Sequence, residues 1–85
     1  SYPNPFNPTA TIRYDLDESA EVKLEVFNAL GEIIAVLVEG NQKRGAYEVA
    51  FDGTQLPSGL YFYRLTARTA TGHLYSDAKK LTLIK

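Results

Sequence analysis

The 85-residue chain contains no cysteine, no methionine and no tryptophan. Without cysteine, a disulfide, a thiolate metal site and sulfur-based redox chemistry are all excluded. The charge is also low, because nine basic and ten acidic residues leave a formal net charge of −1. Interspersed charges of this balance argue against a nucleic-acid partner or an anionic membrane surface. The longest wholly apolar run, Ile33 to Val38, is too short to cross a bilayer, so we expect no membrane insertion.

The apolar content of 45% is typical of a small globular domain with one core. We therefore expect residues 1–85 to form a single domain and to be monomeric. The chain starts with Ser-Tyr-Pro and has no charged and apolar leader, so any export signal is expected to lie elsewhere. The abrupt start suggests a module cut from a longer protein.

Three of the four prolines lie in residues 1–8, which we call the opening segment. Proline fixes φ, restricts the residue before it and removes a backbone donor, so this segment can be neither helix nor central strand. One interpretation is a rigid linker. The other is a fixed boundary motif in which Phe6 packs into the core. We favour the second, because a linker has little use for a buried aromatic side chain.

Beyond the opening segment, apolar and polar residues alternate with a period of two, which is typical of half-buried strands. The pattern predicts strands over 9–16, 22–28, 47–52, 60–68 and 73–85, with Leu81 and Leu83 facing inward. Residues 33–38 are apolar without alternation, which predicts a strand buried on both faces, followed by a loop over 39–45. Six or seven short strands without a helix predict an all-β, immunoglobulin-like antiparallel β-sandwich.

A corner precedes the most aromatic strand, where Pro57, Ser58 and Gly59 lead into Leu60 and Tyr61. Greek-key sandwiches often fasten such a corner through a Tyr hydroxyl that bonds back to the upstream backbone. We predict that Tyr61 bonds to the backbone of Leu56 or Pro57.

No catalytic, cofactor or metal site is predicted. His73 is the sole histidine and lies beside a predicted hairpin tip, where an exposed polar role is favoured over a Ser-His-Asp arrangement. Asp15, Asp17 and Glu18 form an acidic turn but lack the glycine and distal glutamate of a helix-loop-helix calcium site. A solvated turn is the favoured interpretation, with a weak ion as the alternative.

Two features could bind a partner. Phe27 and Phe62 are predicted on strand faces opposite the core, where they could stack on sugars, dock a protein or simply cover the rim under a loop. Lys79, Lys80 and Lys85 flank the last apolar strand. Such lysines protect an edge strand from pairing with other chains, or they mark a docking edge.

Several stretches together resemble the C-terminal sorting domains of the bacterial type IX secretion system. The resemblance covers essentially the whole chain, and its most specific part is the opening Tyr2-Pro3-Asn4-Pro5-Phe6-Asn7-Pro8. The similarity of the opening continues through Thr9, Thr11 and Ile12. The resemblance then takes in 26–37, 45–47 and 56–65, which are weak individually, and the closing Lys80-Leu81-Thr82-Leu83-Ile84-Lys85.

The resemblance implies a non-catalytic, immunoglobulin-like domain at the C-terminus of a secreted enzyme or adhesin. The outer-membrane translocon and its shuttle protein would recognise it, and in many cases a surface sortase then removes it and attaches the cargo to lipopolysaccharide. The protein would thus be secreted or held at the cell surface. The residues implied in recognition are Tyr2, Pro3, Asn4, Pro5, Phe6, Asn7, Gly31, Lys80, Leu81, Leu83 and Lys85.

Two alternatives to a sorting domain stay open from the sequence. The first is an accessory carbohydrate-binding or structural module of a secreted enzyme. The second is a flagellar hook-capping immunoglobulin-like domain, whose opening is similar but which usually carries a longer insertion before the Ser-Gly-x-Tyr strand. Here only 54–57 intervene, which favours sorting.

Overall fold

The structure, a computed structural model, describes residues 9–84. Within that range the chain forms six strands: β1 Thr9–Leu16, β2 Ala20–Asn28, β3 Ile33–Gln42, β4 Gly45–Asp52, β5 Gly59–Thr69 and β6 Leu74–Leu83. The described residues include no helix that is long and apolar enough to cross a membrane. The prediction of an all-β antiparallel sandwich of six or seven strands is confirmed.

The strands form two sheets of unequal size. β1 and β4 form a two-stranded antiparallel sheet, here called the small sheet. The large sheet has the order β3-β2-β5-β6, and all its neighbours are antiparallel. Alternate residues of each strand face the other sheet, because successive side chains of a strand point to opposite faces. The core therefore lies between the two sheets, as in other packed sandwiches.

The core is centred on β2, whose Val22, Leu24 and Val26 are at most 1% exposed. The small sheet contributes four further buried side chains, namely Ile12, Tyr14, Leu16 and Phe51. β5 and β6 contribute Tyr61, Ala67 and Leu83. Leu81 is partly buried and packs against this cluster, so the prediction that Leu81 and Leu83 face inward is confirmed.

The register defines the two ends of the sandwich. Within the large sheet, Asn28 pairs with Tyr61 and Gly59 pairs with Leu83, so these residues share one end. Only residues 17–19 join β1 to β2, so Leu16 lies beside Ala20 at the opposite end. The start of β1 must then lie beside the end of β2. We call the end that holds Thr9 and Asn28 the Thr9 end.

The structure corrects the prediction that residues 33–38 are buried on both faces. β3 is an edge strand of the large sheet, and Ile33 and Val36 are 54% and 45% exposed. Its register against β2 shifts between Leu24 and Glu25 and again between Val26 and Phe27. Each shift places two successive β3 residues, Leu37–Val38 and Ile34–Ala35, against the core. The strand is therefore apolar without alternation although only one face is covered.

The loop predicted over 39–45 is also corrected. β3 continues to Gln42 and β4 begins at Gly45, so only residues 43 and 44 connect them. Gly40 lies inside the strand and pairs with Val22. In the sequence, a glycine in a polar stretch resembles a turn. In the structure, Gly40 has a φ of +146°, and β3 tolerates it because one edge of this strand faces solvent. The predicted packing of Phe6 falls outside the described residues.

Candidate functional site

The last strand of the described chain is an exposed edge. β6 has a neighbour only on its β5 side within the large sheet, and every residue from Leu74 to Lys80 is exposed. Lys80 pairs in register with Phe62, which places both on the outer face, while Lys79 pairs with Tyr63 on the inner face. An edge strand offers backbone N–H and C=O groups to an added strand. β6 is thus able to accept an extended segment of a partner.

The two leucines of β6 that the resemblance implicates face the core rather than a partner. Leu83 is 3% exposed and pairs with Gly59, and the partly buried Leu81 pairs with Tyr61. The side chain of Leu83 is therefore covered, and that of Leu81 is partly covered. The outward positions near the end of β6 are Lys80, Thr82 and the 57%-exposed Ile84. Lys85 and residues 2–7 fall outside the described range.

Gly31 lies in a tight turn between β2 and β3. Its φ of +85° is a left-handed conformation that glycine adopts without steric cost. The turn is fastened by Asn28, whose Oδ1 accepts hydrogen bonds from the backbone N–H of Leu30 at 3.0 Å and of Glu32 at 2.9 Å. Its Nδ2 donates to Glu32 Oε1 at 2.7 Å. The turn therefore presents Leu30, 84% exposed, on a fixed backbone.

The predicted corner of Tyr61 is confirmed. Its hydroxyl donates a 2.7 Å hydrogen bond to the backbone carbonyl of Pro57. The corner adjoins the Gly31 turn, since Tyr61 pairs with Asn28 on one side and with Leu81 on the other. Two strand spacings, about 10 Å in all, thus separate the end of β2 from the end of β6.

The fold therefore brings together regions that are far apart in the chain. The Gly31 turn, the end of β6 and Thr9, to which the opening segment is joined, all lie at the Thr9 end. The sequence does not indicate this convergence, because it depends on strand order. A single partner could contact all three.

The outer face of the large sheet carries the predicted aromatic pair. Phe27 and Phe62 are directly opposite each other on β2 and β5, and both are half-buried. The guanidinium carbon of Arg64 lies 4.9 Å from the centre of the Phe27 ring, a cation–π arrangement. Arg64 therefore lies over one face of the Phe27 ring.

Arg64 also pairs with Glu25, a buried carboxylate that sequence reasoning missed. Glu25 is 4% exposed although it lies on the outer face, and its carboxylate is 3.3 Å from Arg64 and 3.7 Å from Lys23. Two half-exposed cations thus neutralise the buried charge. The signal exists only in the register, where Glu25 pairs with Arg64 across two strands that are distant in the sequence.

A second polar contact missed from the sequence joins the small sheet to β3. The hydroxyl of Tyr14 donates a 2.5 Å hydrogen bond to Gln42 Oε1, and its ring stacks on Tyr47 with centroids 5.3 Å apart. Burial raises the pKa of Tyr14 above its ordinary value of 10.0, and the nearby Tyr47 adds to the rise, while the bond to Gln42 opposes it.

His73 and the acidic turn, which the sequence offered for a catalytic or a metal site, do not form a metal-binding cluster in the described residues. The backbone N–H of His73 donates to Thr69 Oγ1 at 3.1 Å, and its ring lies edge-on to Tyr75 at 6.4 Å. His73 thus helps to close the β5–β6 hairpin. Across residues 9–84, no group of three or more His, Asp or Glu side chains is placed to hold a metal ion.

The geometry defines a class of protein: an immunoglobulin-like β-sandwich module in which β6 is an exposed edge strand. The family model described as "Secretion system C-terminal sorting domain" matches residues 1–74 of the chain. The chain therefore belongs to the family of secretion-system C-terminal sorting domains. Domains of this type IX family are non-catalytic and mark proteins for export across the outer membrane, to the cell surface or the medium.

A comparison of folds agrees with the sandwich. The crystal structure of CopC from Methylosinus trichosporium OB3b superposes with a TM-score of 0.55 and 18% sequence identity. The superposition covers 86% of this chain and 74% of that one. At this identity the likeness concerns the fold alone. Among curated proteins, none matches the chain.

Proposed function

We propose that the domain directs an N-terminal cargo protein through the type IX translocon, and that recognition combines the opening segment, the Gly31 turn and the β6 edge. The observation that supports the proposal is that the Gly31 turn, the end of β6 and Thr9, to which the opening segment is joined, lie at one end of a domain whose family is a sorting signal. The translocon, its shuttle protein and the surface sortase would be the partners. The family match ends at Leu74, the first residue of β6, so the role given to β6 rests on its geometry.

The geometry favours recognition through backbone and charge at β6. An added strand would bond to the outer side of β6, and Lys80 would supply a cation on the outer face. Exposed charges mainly affect the rate and specificity of association, so reversing one should weaken recognition without unfolding the domain. This separates the role of Lys80 from that of Leu83, whose burial makes it structural.

The test is export of an inert reporter fused in front of residues 1–85 in a bacterium that has a type IX system. We expect the fusion to reach the surface or the medium, and deletion of 80–85 to leave it in the periplasm. Export that is unchanged by this deletion would contradict the proposal.

The deletion also removes the buried Leu83, so a point variant is needed. Lys80→Glu should reduce the exported fraction while the purified domain keeps its melting temperature. Lys43→Glu is the matched control, because Lys43 is exposed in the β3–β4 connection at the opposite end and the change in charge is the same. Equal export of the two variants would remove Lys80 from the recognition surface.

A further inference from the structure

Exposed apolar side chains concentrate at the Thr9 end of the sandwich. Leu30 is 84% exposed, Leu60 42% and Ile84 57%, and they belong to three different segments that meet there. Isolated exposed leucines are ordinary on protein surfaces, but a cluster around a concavity marks a binding surface.

A concavity of about 360 Å³ opens within this cluster. Ala29 and Leu30 line one side, and Leu56, Pro57 and Leu60 line the other. None of the side chains around it carries a charge. Tyr61 and Ile34 form part of its lining, so an occupant would extend the hydrophobic core.

Both walls of the concavity are held rigid by hydrogen bonds. On one side, Asn28 fastens the backbone at Leu30 and Glu32. On the other, the bond from Tyr61 to the Pro57 carbonyl fastens the corner. The backbone N–H of Leu56 also donates to the carbonyl of Gly53 at 2.9 Å. The concavity is therefore preformed, and little ordering of its walls opposes binding.

The opening segment is joined to the chain beside this concavity. Thr9 pairs with Asp52, and residues 53–58 then cross from the small sheet to the large sheet and form one wall. Phe6 precedes Thr9 by three residues, which span about 10 Å when extended. Packed sheets are also about 10 Å apart. Phe6 is thus tethered within reach of the concavity.

The chemistry of the opening segment matches that of the concavity. Residues 2–8 carry no charge and contain two aromatic side chains and three prolines. Proline restricts the unbound chain, so less conformational entropy is lost on binding. A segment with this composition is suited to a groove lined by Leu, Ile, Pro and Tyr.

We propose that Phe6 of the opening segment binds in the concavity between the Gly31 turn and the Pro57–Tyr61 corner, within the same chain. The opening segment then becomes part of the domain surface rather than a free linker to the cargo. This goes beyond the proposed sorting function, because it holds whether or not the domain is exported.

The first experiment measures methyl chemical shifts in residues 1–85 and in Phe6→Leu by nuclear magnetic resonance. The substitution keeps an apolar side chain but removes the aromatic ring current. We expect the methyl signals of Leu30, Leu56 and Leu60 to shift and those of Leu74 to stay, because Leu74 lies at the opposite end. The changes should be independent of protein concentration. Shifts confined to other residues would overturn the proposal, and shifts that grow with concentration would assign the concavity to a second copy.

The second experiment blocks the concavity while leaving Phe6 intact. Ala29→Arg places a long charged side chain at its mouth, and Ala70→Arg makes the same change at an exposed position of the β5–β6 connection at the opposite end. We expect the backbone ¹⁵N–¹H nuclear Overhauser effect of Phe6 to fall in Ala29→Arg and to be unchanged in Ala70→Arg. Equal values in both variants and the parent chain would overturn the proposal. Reporter export is a separate readout, so either hypothesis can fail alone.

Discussion

The hydroxyl of Tyr61 donates a 2.7 Å hydrogen bond to the backbone carbonyl of Pro57, four residues upstream. This bond joins the connection between the two sheets to the start of β5. Tyr61 is only 6% exposed, so replacing it by Phe would remove the donor of the Pro57 carbonyl from a largely covered position.

Tyr61→Phe should therefore lower the free energy of unfolding by about 1 kcal/mol, the usual cost of removing one partner from a buried hydrogen bond. Chemical denaturation followed by circular dichroism measures the difference. Tyr75→Phe is the matched control, because Tyr75 is 55% exposed, and its unfolding should be unchanged. Equal stability of Tyr61→Phe and the parent chain would show that the corner does not depend on this bond.

The Asn28 side chain offers a second prediction. Asn28→Ala removes two acceptor contacts to backbone N–H groups and one donor contact to Glu32, so we expect a loss of about 1 kcal/mol. Asn41→Ala in β3 is the control, since Asn41 is exposed in an edge strand. If both variants have the same free energy of unfolding, the turn is held by backbone hydrogen bonds alone.

Arg64 is expected to stabilise the outer face of the large sheet. Arg64→Ala leaves the buried Glu25 carboxylate with Lys23 as its remaining cation and uncovers the ring of Phe27. The loss should be about 1–2 kcal/mol, less than for a fully buried pair because Arg64 is half-exposed. Arg68→Ala, at an exposed position four residues further along β5, should stay within about 0.5 kcal/mol of the parent chain. Similar losses in both variants would contradict a specific role for the Glu25 pair.

The raised pKa of Tyr14 predicts a loss of folding stability at alkaline pH. Its pKa is higher in the folded chain than in the unfolded one, so the folded state holds the proton more tightly. This contribution to stability is complete below the unfolded pKa of about 10 and is lost as pH rises through the folded pKa. Tyr14→Phe removes the ionisable hydroxyl, so its stability should fall less steeply above pH 10 than that of the parent chain. Denaturation series at increasing pH measure the slopes, and identical slopes would contradict the assignment.

Much of the fold follows from the sequence because a period of two needs no tertiary information. β1 was predicted with its observed bounds, Thr9–Leu16, and the Tyr61 corner was predicted with its acceptor. β3 was not, because two register shifts turn a one-faced strand into an unbroken apolar run. The pairing of Glu25 with Arg64 and the convergence at the Thr9 end also escaped prediction, since both arise from β2 lying beside β5.

Two strand pairs join segments that are far apart in the chain, namely β1 with β4 and β2 with β5. Two strands lie between the partners of each of these pairs in the sequence, whereas β2–β3 and β5–β6 join neighbouring strands. Local pairs form fast, while a pair across a long intervening segment must first overcome the entropy of loop closure. During synthesis the N-terminal part emerges first, so Ile12, Tyr14 and Leu16 leave the ribosome well before their partners on β4. The apolar face of β1 is thus the first part of the described core to be synthesised, and it stays uncovered until its later partners emerge.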